Sequence, residues 1–132
     1  MQYLIYRSTP LGFDRAMLAG ILLGARRNNA RDAITGALLC RHDLYLQLIE
    51  GPAPAIDALY ARIAVDDRHS DVRLLLSDTA DRRMFPDWTM LDDQNPSLAW
   101  SPAQVADGAI EAAGAAELLG VFARLSASAA CR

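Results

Sequence analysis

The sequence contains no lysine. All thirteen basic residues are arginine, set against sixteen acidic residues, and the formal net charge is −3. A chain without an excess of basic residues lacks the positive surface by which proteins attract nucleic acids and anionic membranes. We therefore expect neither as a main partner. The missing lysine, beside abundant alanine, indicates the codon bias of a GC-rich bacterial genome rather than a function.

Cysteine is scarce as well. Cys40 lies in a strand pattern and Cys131 next to the C-terminus, so the two form neither a metal-ligand motif nor a disulfide framework. The N-terminus runs directly into a strand pattern without an export signal, and no apolar run approaches the roughly 20 residues of a membrane-spanning helix. These absences predict a cytoplasmic protein with incidental thiols and no metal site.

The chain does have enough apolar material for one core, because 52% of its 132 residues are hydrophobic. Strand and helix patterns follow one another in the order β-α-β-β-α-β, with a short extra strand behind them. This order predicts an α+β fold, a ferredoxin-like βαββαβ sandwich with two helices on one face of the sheet. The predicted strands are 2–8, 34–41, 43–49, 72–77 and 88–91, and the predicted helices are 14–28 and about 56–67.

After the last predicted strand, the composition of the sequence becomes rich in alanine. Ser101-Pro102-Ala103-Gln104 has the pattern of a helix start, with a capping serine, a proline in the first turn and a glutamine after it. We expect residues 1–95 to form the main domain and residues 96–132 to form one or two short helices docked on it. Later in this segment, four apolar residues recur at helical spacing: Leu118, Val121, Phe122 and Leu125. An apolar stripe of this kind must cover another apolar surface.

The stretch LYLQLIEG, Leu44 to Gly51, is a strand pattern with one unexpected residue. Successive side chains of a strand point to opposite faces. Both faces of this strand are apolar, as in a strand that is covered on both sides, except at Gln47. Burying an amide without partners costs about 1–3 kcal/mol. We therefore expect protein or ligand atoms to hydrogen-bond Gln47.

Four further features are not needed by a plain sandwich. They are Tyr6 in the first strand, Asn28-Asn29 at the end of the first helix, Arg68-His69 after the second helix, and Trp88 with Met90 on the last predicted strand. Each also has an ordinary interpretation: core packing for the aromatic residues and the methionine, a C-cap for the asparagines, and a solvated loop for the Arg-His pair. By itself, Gln47 is also explained by a bond to the backbone.

Taken together, these features match a known family. Over about residues 2–92 the sequence resembles the BLUF domains, blue-light sensors that use flavin. The matching segments are LIYRS, NNAR followed by ITGALL, LQLIEG, DDRHS and RMFPDWTM. Two positions depart from the usual pattern: Ile49 stands where leucine is usual, and Tyr45 where phenylalanine is common. The C-terminal segment matches no motif of the family.

The resemblance implies a flavin, FAD with FMN as the alternative, between the two helices. Gln47 would hydrogen-bond the flavin on one side and Tyr6 on the other, which suits an amide because it has both a donor and an acceptor. One asparagine at the end of the first helix, Asn29, would bond the polar edge of the ring, with Asn28 nearby. One isoleucine from each helix would cover the faces of the ring, and the segment after the second helix would line the ribityl and phosphate exit. These further residues are Ile21, Asn28, Asn29, Ile63, Asp66, Arg68 and His69.

The family mechanism that the resemblance implies is photochemical. Blue light moves an electron and then a proton from Tyr6 through Gln47. Gln47 afterwards bonds the flavin more strongly, either rotated or as a tautomer. Trp88 and Met90 are the candidate relays, since residues two apart share one face of a strand. No net reaction remains, so the resemblance implies a sensor and not an enzyme.

Two other functions stay open on the residues alone. One is a cofactor-free interaction module, which colourless purified protein would favour. The other is a small flavin-dependent oxidoreductase, which needs an acid, a base or a thiol beside the ring, and no Cys-His or Ser-His pair is evident. The 132 residues contain no cyclase, phosphodiesterase or DNA-binding motif. We therefore expect signalling to a separate, unknown downstream protein, and we expect a homo-oligomer.

Overall fold

The computed structural model describes residues 1–10, 15–41, 44–65, 69–85, 91–93 and 114–129. Within these ranges the chain forms five strands and three helices. The strands are β1 (Gln2–Pro10), β2 (Thr35–Arg41), β3 (Leu44–Gly51), β4 (His69–Thr79) and β5 (Leu91–Asp93). The helices are α1 (Arg15–Asp32), α2 (Ala53–Ala64) and α3 (Ala115–Ala129).

The strands form one sheet in the order β4-β1-β3-β2-β5. β1 pairs antiparallel with both β3 and β4, β3 pairs antiparallel with β2, and the short β5 runs parallel to β2. β1 and β3 are therefore central strands with a neighbour on each side. The predicted α+β sandwich with a short extra strand is confirmed.

The side chains of β3 alternate between two separate apolar cores. Tyr45 and Ile49 belong to a core with Ile56 of α2, whereas Leu46 and Leu48 belong to a core on the opposite side. We call the first side, which Gln47 shares, the site face and the second the rear face. The rear-face core includes all four residues of the predicted C-terminal stripe, so this stripe covers the sheet as expected. Its members are Leu118, Val121, Phe122 and Leu125 of α3.

Helix α1 ends later than predicted, because it continues past Asn28 and Asn29 to Asp32. The next residue, Ala33, has φ 59°, and the N–H of Ile34 donates to the carbonyl of Asn29 at 2.9 Å. A left-handed residue followed by a backbone hydrogen bond that spans five residues is a Schellman cap, which ends the helix. The interpretation of the two asparagines as a C-cap is therefore wrong: they lie inside the last turns of the helix.

Several other predicted bounds also differ, and α2 runs from Ala53 to Ala64 instead of about 56–67. β4 begins at His69 instead of Val72, so His69 is a strand residue and not part of a loop. The last strand includes Leu91–Asp93 and so continues past its predicted end at residue 91. Trp88, Met90, Asp66, Arg68 and the predicted helix start at Ser101 lie outside the described residues. Across the described ranges, no helix combines the length and the apolar character needed to cross a membrane.

Candidate functional site

Tyr6 and Gln47 meet because the sheet register places them side by side. Tyr6 of β1 is the direct partner of Gln47 of β3, and Gln47 is in turn the partner of Leu38 of β2. Partners across antiparallel strands point to the same face. The Tyr6 hydroxyl donates to Oε1 of Gln47, and the Tyr6 side chain is 3% exposed. One end of the buried amide thus has a protein partner.

The Gln47 amide can satisfy this bond in two orientations. With Oε1 towards Tyr6, the Nε2 end directs its two donors away from the hydroxyl. After a half-turn of the amide, Nε2 would face Tyr6, and the phenol oxygen would accept instead of donating. The hydroxyl of Tyr6 can play both parts because it has a donor and lone pairs. This pair can therefore adopt two different hydrogen-bonded arrangements.

The Tyr6 ring is held by an aromatic contact that sequence analysis missed. Its centroid lies 5.9 Å from that of Tyr60 on α2, with the ring planes at 72°. Edge-to-face pairs of this kind add about 0.5–1.5 kcal/mol to simple burial. In the sequence, Tyr60 is only one of several apolar residues within the second predicted helix, and their helical spacing does not indicate which residue Tyr60 contacts.

Asn29 is the second buried amide of the region, at 1% exposure. Its backbone carbonyl is fixed by the Schellman cap, and the residue that closes this cap, Ile34, belongs to the site-face core. Its side-chain amide carries both a hydrogen-bond donor and an acceptor. The neighbouring Asn28 is half-buried.

The other predicted site residues are placed to different degrees. Ile63 of α2 packs against the site-face core. Ile21 lies within α1 and His69 opens β4 as the partner of Pro10, but their side chains are outside the described part of the structure. Of the predicted residues, the structure thus brings Tyr6 and Gln47 into contact and packs Ile63 against the site-face core.

A buried carboxylate that the sequence analysis did not single out lies at the end of β3. Oε1 of Glu50 accepts the N–H of Met84 at 2.7 Å, and Oε2 accepts the N–H of Phe85 and the hydroxyl of Thr35, each at 2.8 Å. Arg83 donates to Thr35 Oγ1 at 2.9 Å and to the carbonyl of Ala33 at 2.7 Å. The acidic residue in an apolar strand, within LQLIEG, was the available signal.

The surface end of α1 carries a small ion-pair cluster. Arg31 Nε donates a hydrogen bond to Asp32 Oδ1 at 3.1 Å, and this bond lowers the pKa of Asp32 below its ordinary value. Arg62 of α2, with Nη2 at 3.7 Å from Asp32 Oδ2, lowers this pKa as well. The same hydrogen bond to Asp32 raises the pKa of Arg31. The two arginines are exposed and Asp32 is partly exposed, so the contribution of these ion pairs to stability is weak.

Residues 1–91 match the profile of the BLUF family, described as sensors of blue light using FAD. The chain is also 35% identical over 103 residues to subunit beta of the photoactivated adenylate cyclase of Euglena gracilis. That match covers 77% of this chain but 12% of the relative, so the chain spans a small part of the length of this curated relative.

Solved structures agree in fold. The dark-state structure of BlrB, a BLUF protein, superposes with a TM-score of 0.82 at 30% identity and covers 96% of both chains. Klebsiella pneumoniae BlrP1 with FMN and cyclic diGMP gives a TM-score of 0.67 at 30% identity, covering 91% of this chain and 30% of that one. The family profile over residues 1–91 and the shared architecture together establish that this chain belongs to the BLUF family of flavin-using blue-light sensors.

Proposed function

We propose that this chain senses blue light through a switch made of Tyr6 and Gln47, with FAD as its cofactor. The observation that carries the proposal is the buried hydrogen bond from the Tyr6 hydroxyl to Gln47 Oε1. A sheet that only has to pack would place apolar side chains at both positions, since buried polar groups cost free energy unless they are paired. A phenol and an amide in contact indicate a site that needs a movable proton and a reversible hydrogen bond.

The chemistry of the surrounding residues fits a flavin. Its ring system is apolar on both faces and polar along one edge, and ligand sites of this kind combine apolar walls with a few placed polar groups. Gln47 and Asn29 are buried amides, and Ile63 is an aliphatic side chain on the neighbouring helix. The cofactor-binding set that we propose is Tyr6, Ile21, Asn28, Asn29, Gln47, Ile63, Asp66, Arg68 and His69.

FAD is proposed over FMN because the family is described as using FAD. The proposed contacts end at the ribityl phosphate, a part that both flavins share. The BlrP1 structure with FMN makes the shorter flavin the alternative to test.

A bound flavin supplies the absorption of blue light and a place to which an electron can go. Residues of the chain carry out the other parts of the proposed switch. Tyr6 holds its proton on a hydroxyl that already points at Gln47 Oε1, so it is the donor in the proposed switch. Tyr60 keeps the ring of Tyr6 in this orientation through its edge contact. After illumination, the amide of Gln47 differs from the dark state in its orientation or its tautomer. Trp88 and Met90 are the proposed relays.

The output of this switch is a changed hydrogen bond instead of a released product, so we propose a sensor and not an enzyme. In the proposed division of the chain, residues 1–95 sense light and residues 96–132 report the state to a separate protein. Support comes from α3, whose Phe122 shares the rear-face core with Leu46 and Leu48, the two neighbours of Gln47 on β3. The cytoplasmic location and the homo-oligomer stay predictions.

The proposal is tested on protein expressed with ample riboflavin. Heat-released chromophore is identified by chromatography, and the absorption spectrum is recorded in darkness and after blue light. We expect bound FAD and a small red shift that decays in darkness. Protein that stays colourless, or bound flavin without a reversible shift, would contradict the proposal. Colourless, folded protein would favour the cofactor-free interaction module.

A further inference from the structure

The backbone of Met84 is hydrogen-bonded from both sides. Its N–H donates to Oε1 of Glu50 on β3 at 2.7 Å, and its carbonyl accepts the Ser126 hydroxyl of α3, also at 2.7 Å. Met84, which follows β4 in the sequence, therefore connects the strand that carries Gln47 to the C-terminal helix.

The connection to β3 is strong. Glu50 is 3% exposed, and both oxygens of its carboxylate accept bonds, including the N–H of Phe85. Arg83 adds a bond from Nη1 to the backbone carbonyl of Glu50 at 3.3 Å. Hydrogen bonds to a charged group are stronger than neutral ones. The segment 83–85 therefore follows any movement of the end of β3, because it cannot shift alone without breaking several bonds at once.

The connection to α3 depends on fewer directional contacts. Phe122 meets Phe85 edge-to-face, with ring centroids 6.3 Å apart and planes at 87°. The stripe of α3 otherwise contributes to the apolar rear-face core. Apolar burial is non-directional and tolerates small sliding, whereas a hydroxyl–carbonyl bond weakens steeply once its angle or distance changes. A small shift of segment 83–85 would therefore weaken the Ser126 hydrogen bond more than it would weaken the apolar contacts of α3.

We propose that the bond between Ser126 and Met84 is a latch that holds α3 in the dark state and is released when Gln47 switches. Glu50 is the positioning residue: it lies three positions after Gln47 on the same strand, but on the rear face. A change at Gln47 alters the middle of β3, and Glu50 carries the resulting shift to segment 83–85. This inference rests on the proposed function, because light must first act at Gln47.

The test is hydrogen exchange of the α3 amides in darkness and under blue light, with the flavin spectrum recorded on the same samples. In wild type, light should raise exchange across residues 114–129. Ser126→Ala should raise dark exchange about fivefold, the scale of one ordinary hydrogen bond, and should lose most of the light-dependent difference. Ser126→Thr keeps a hydroxyl and should restore wild-type behaviour.

The sign of the Ser126→Ala effect separates a latch from helix propensity. Alanine is a better helix former than serine, so propensity alone would lower exchange in α3. Arg124→Ala, at an exposed position of the same helix, is the matched control and should leave exchange and its light response unchanged. Glu50→Gln tests the route: its amide NH2 opposes one of the donors from 84–85, so the red shift should persist while the α3 response is lost.

The failures are distinguishable. A red shift in wild type with no change in α3 exchange overturns the latch and leaves the light sensor standing. So does Ser126→Ala with wild-type exchange in both states, or a full α3 response in Glu50→Gln. A wild-type protein without any red shift overturns the proposed function, and the latch with it.

Discussion

Tyr6 and Gln47 face each other across β1 and β3, and the tyrosine hydroxyl donates to the glutamine Oε1. Both residues lie in central strands, where ladders on either side fix the backbone. Side-chain substitutions at this pair should therefore change the hydrogen bond and leave the sheet intact. This separates switching from folding and from cofactor binding.

Gln47→Leu should bind flavin but form no lasting red-shifted state. Leucine has a similar volume and removes both hydrogen-bonding ends, while Asn29 and the helices stay in place. Tyr6→Phe removes one hydroxyl and should have the same effect, because the proton donor is lost. Difference spectra after blue light, taken with flavin occupancy, measure both variants. A normal red-shifted state in Gln47→Leu would mean that this glutamine is only a structural amide.

Asn29→Ala should weaken flavin binding by roughly 1–2 kcal/mol, the usual scale of a lost hydrogen bond. The physical reason is the loss of a buried amide that, in the proposed site, hydrogen-bonds the polar edge of the flavin ring. Titration of the flavin-free protein with FAD measures the Kd. Arg27→Ala, an exposed position on the same helix, is the control. Equal Kd values for Asn29→Ala and wild type would remove Asn29 from the proposed site.

Ala33→Gly should stabilise the fold by about 1 kcal/mol, because Ala33 occupies the left-handed region at φ 59°, where an L side chain is strained. Glycine is the preferred residue at this point of a Schellman cap. Urea unfolding measures the change in free energy. Ala30→Gly inside α1 is the control of opposite sign and should destabilise by about 0.5–1 kcal/mol. A destabilised Ala33→Gly would contradict the assigned strain.

Gly36→Ala should destabilise the protein by about 1–3 kcal/mol through overpacking. A Cβ on Gly36 would lie 2.0 Å from the Leu48 carbonyl oxygen, a backbone atom that cannot move aside without shifting β3. Thermal unfolding measures the loss. Gly24→Ala in α1 has nothing within 4 Å of the added Cβ and should instead stabilise. Similar Tm values for Gly36→Ala and wild type would show that β2 and β3 are further apart than described.

Asp32 should contribute a small, acid-sensitive part of the stability. The hydrogen bond from Arg31 lowers its pKa in the folded state below the ordinary 3.8. The contribution is therefore present above pH 3.8 and is lost as the pH falls through the folded pKa. Asp32→Asn should be slightly less stable than wild type at neutral pH, and the two should converge in acid. Urea unfolding across this range measures it, and a constant difference down to the lowest pH would contradict the pairing.

Periodic patterns in the sequence were sufficient to predict the order of the elements, the two faces of β3 and the buried stripe of α3. Alternation and helical spacing are local properties, set by the backbone geometry of each element. For the same reason, Gln47 stood out as a polar residue between apolar neighbours before any fold was known. The motif resemblance likewise identified the family, because its segments are short and continuous.

Only the tertiary structure decided which distant residues meet. The register of β1 against β3 brings the Tyr6 hydroxyl to Gln47, and helix packing brings Tyr60 to the Tyr6 ring. The cap of α1 falls at Ala33 although asparagines nearby have the stronger cap preference, because the chain must turn there into β2. Glu50 finds its partners at Met84 and Phe85, over thirty positions away. Such contacts depend on where topology returns the chain, which no local pattern of side chains encodes.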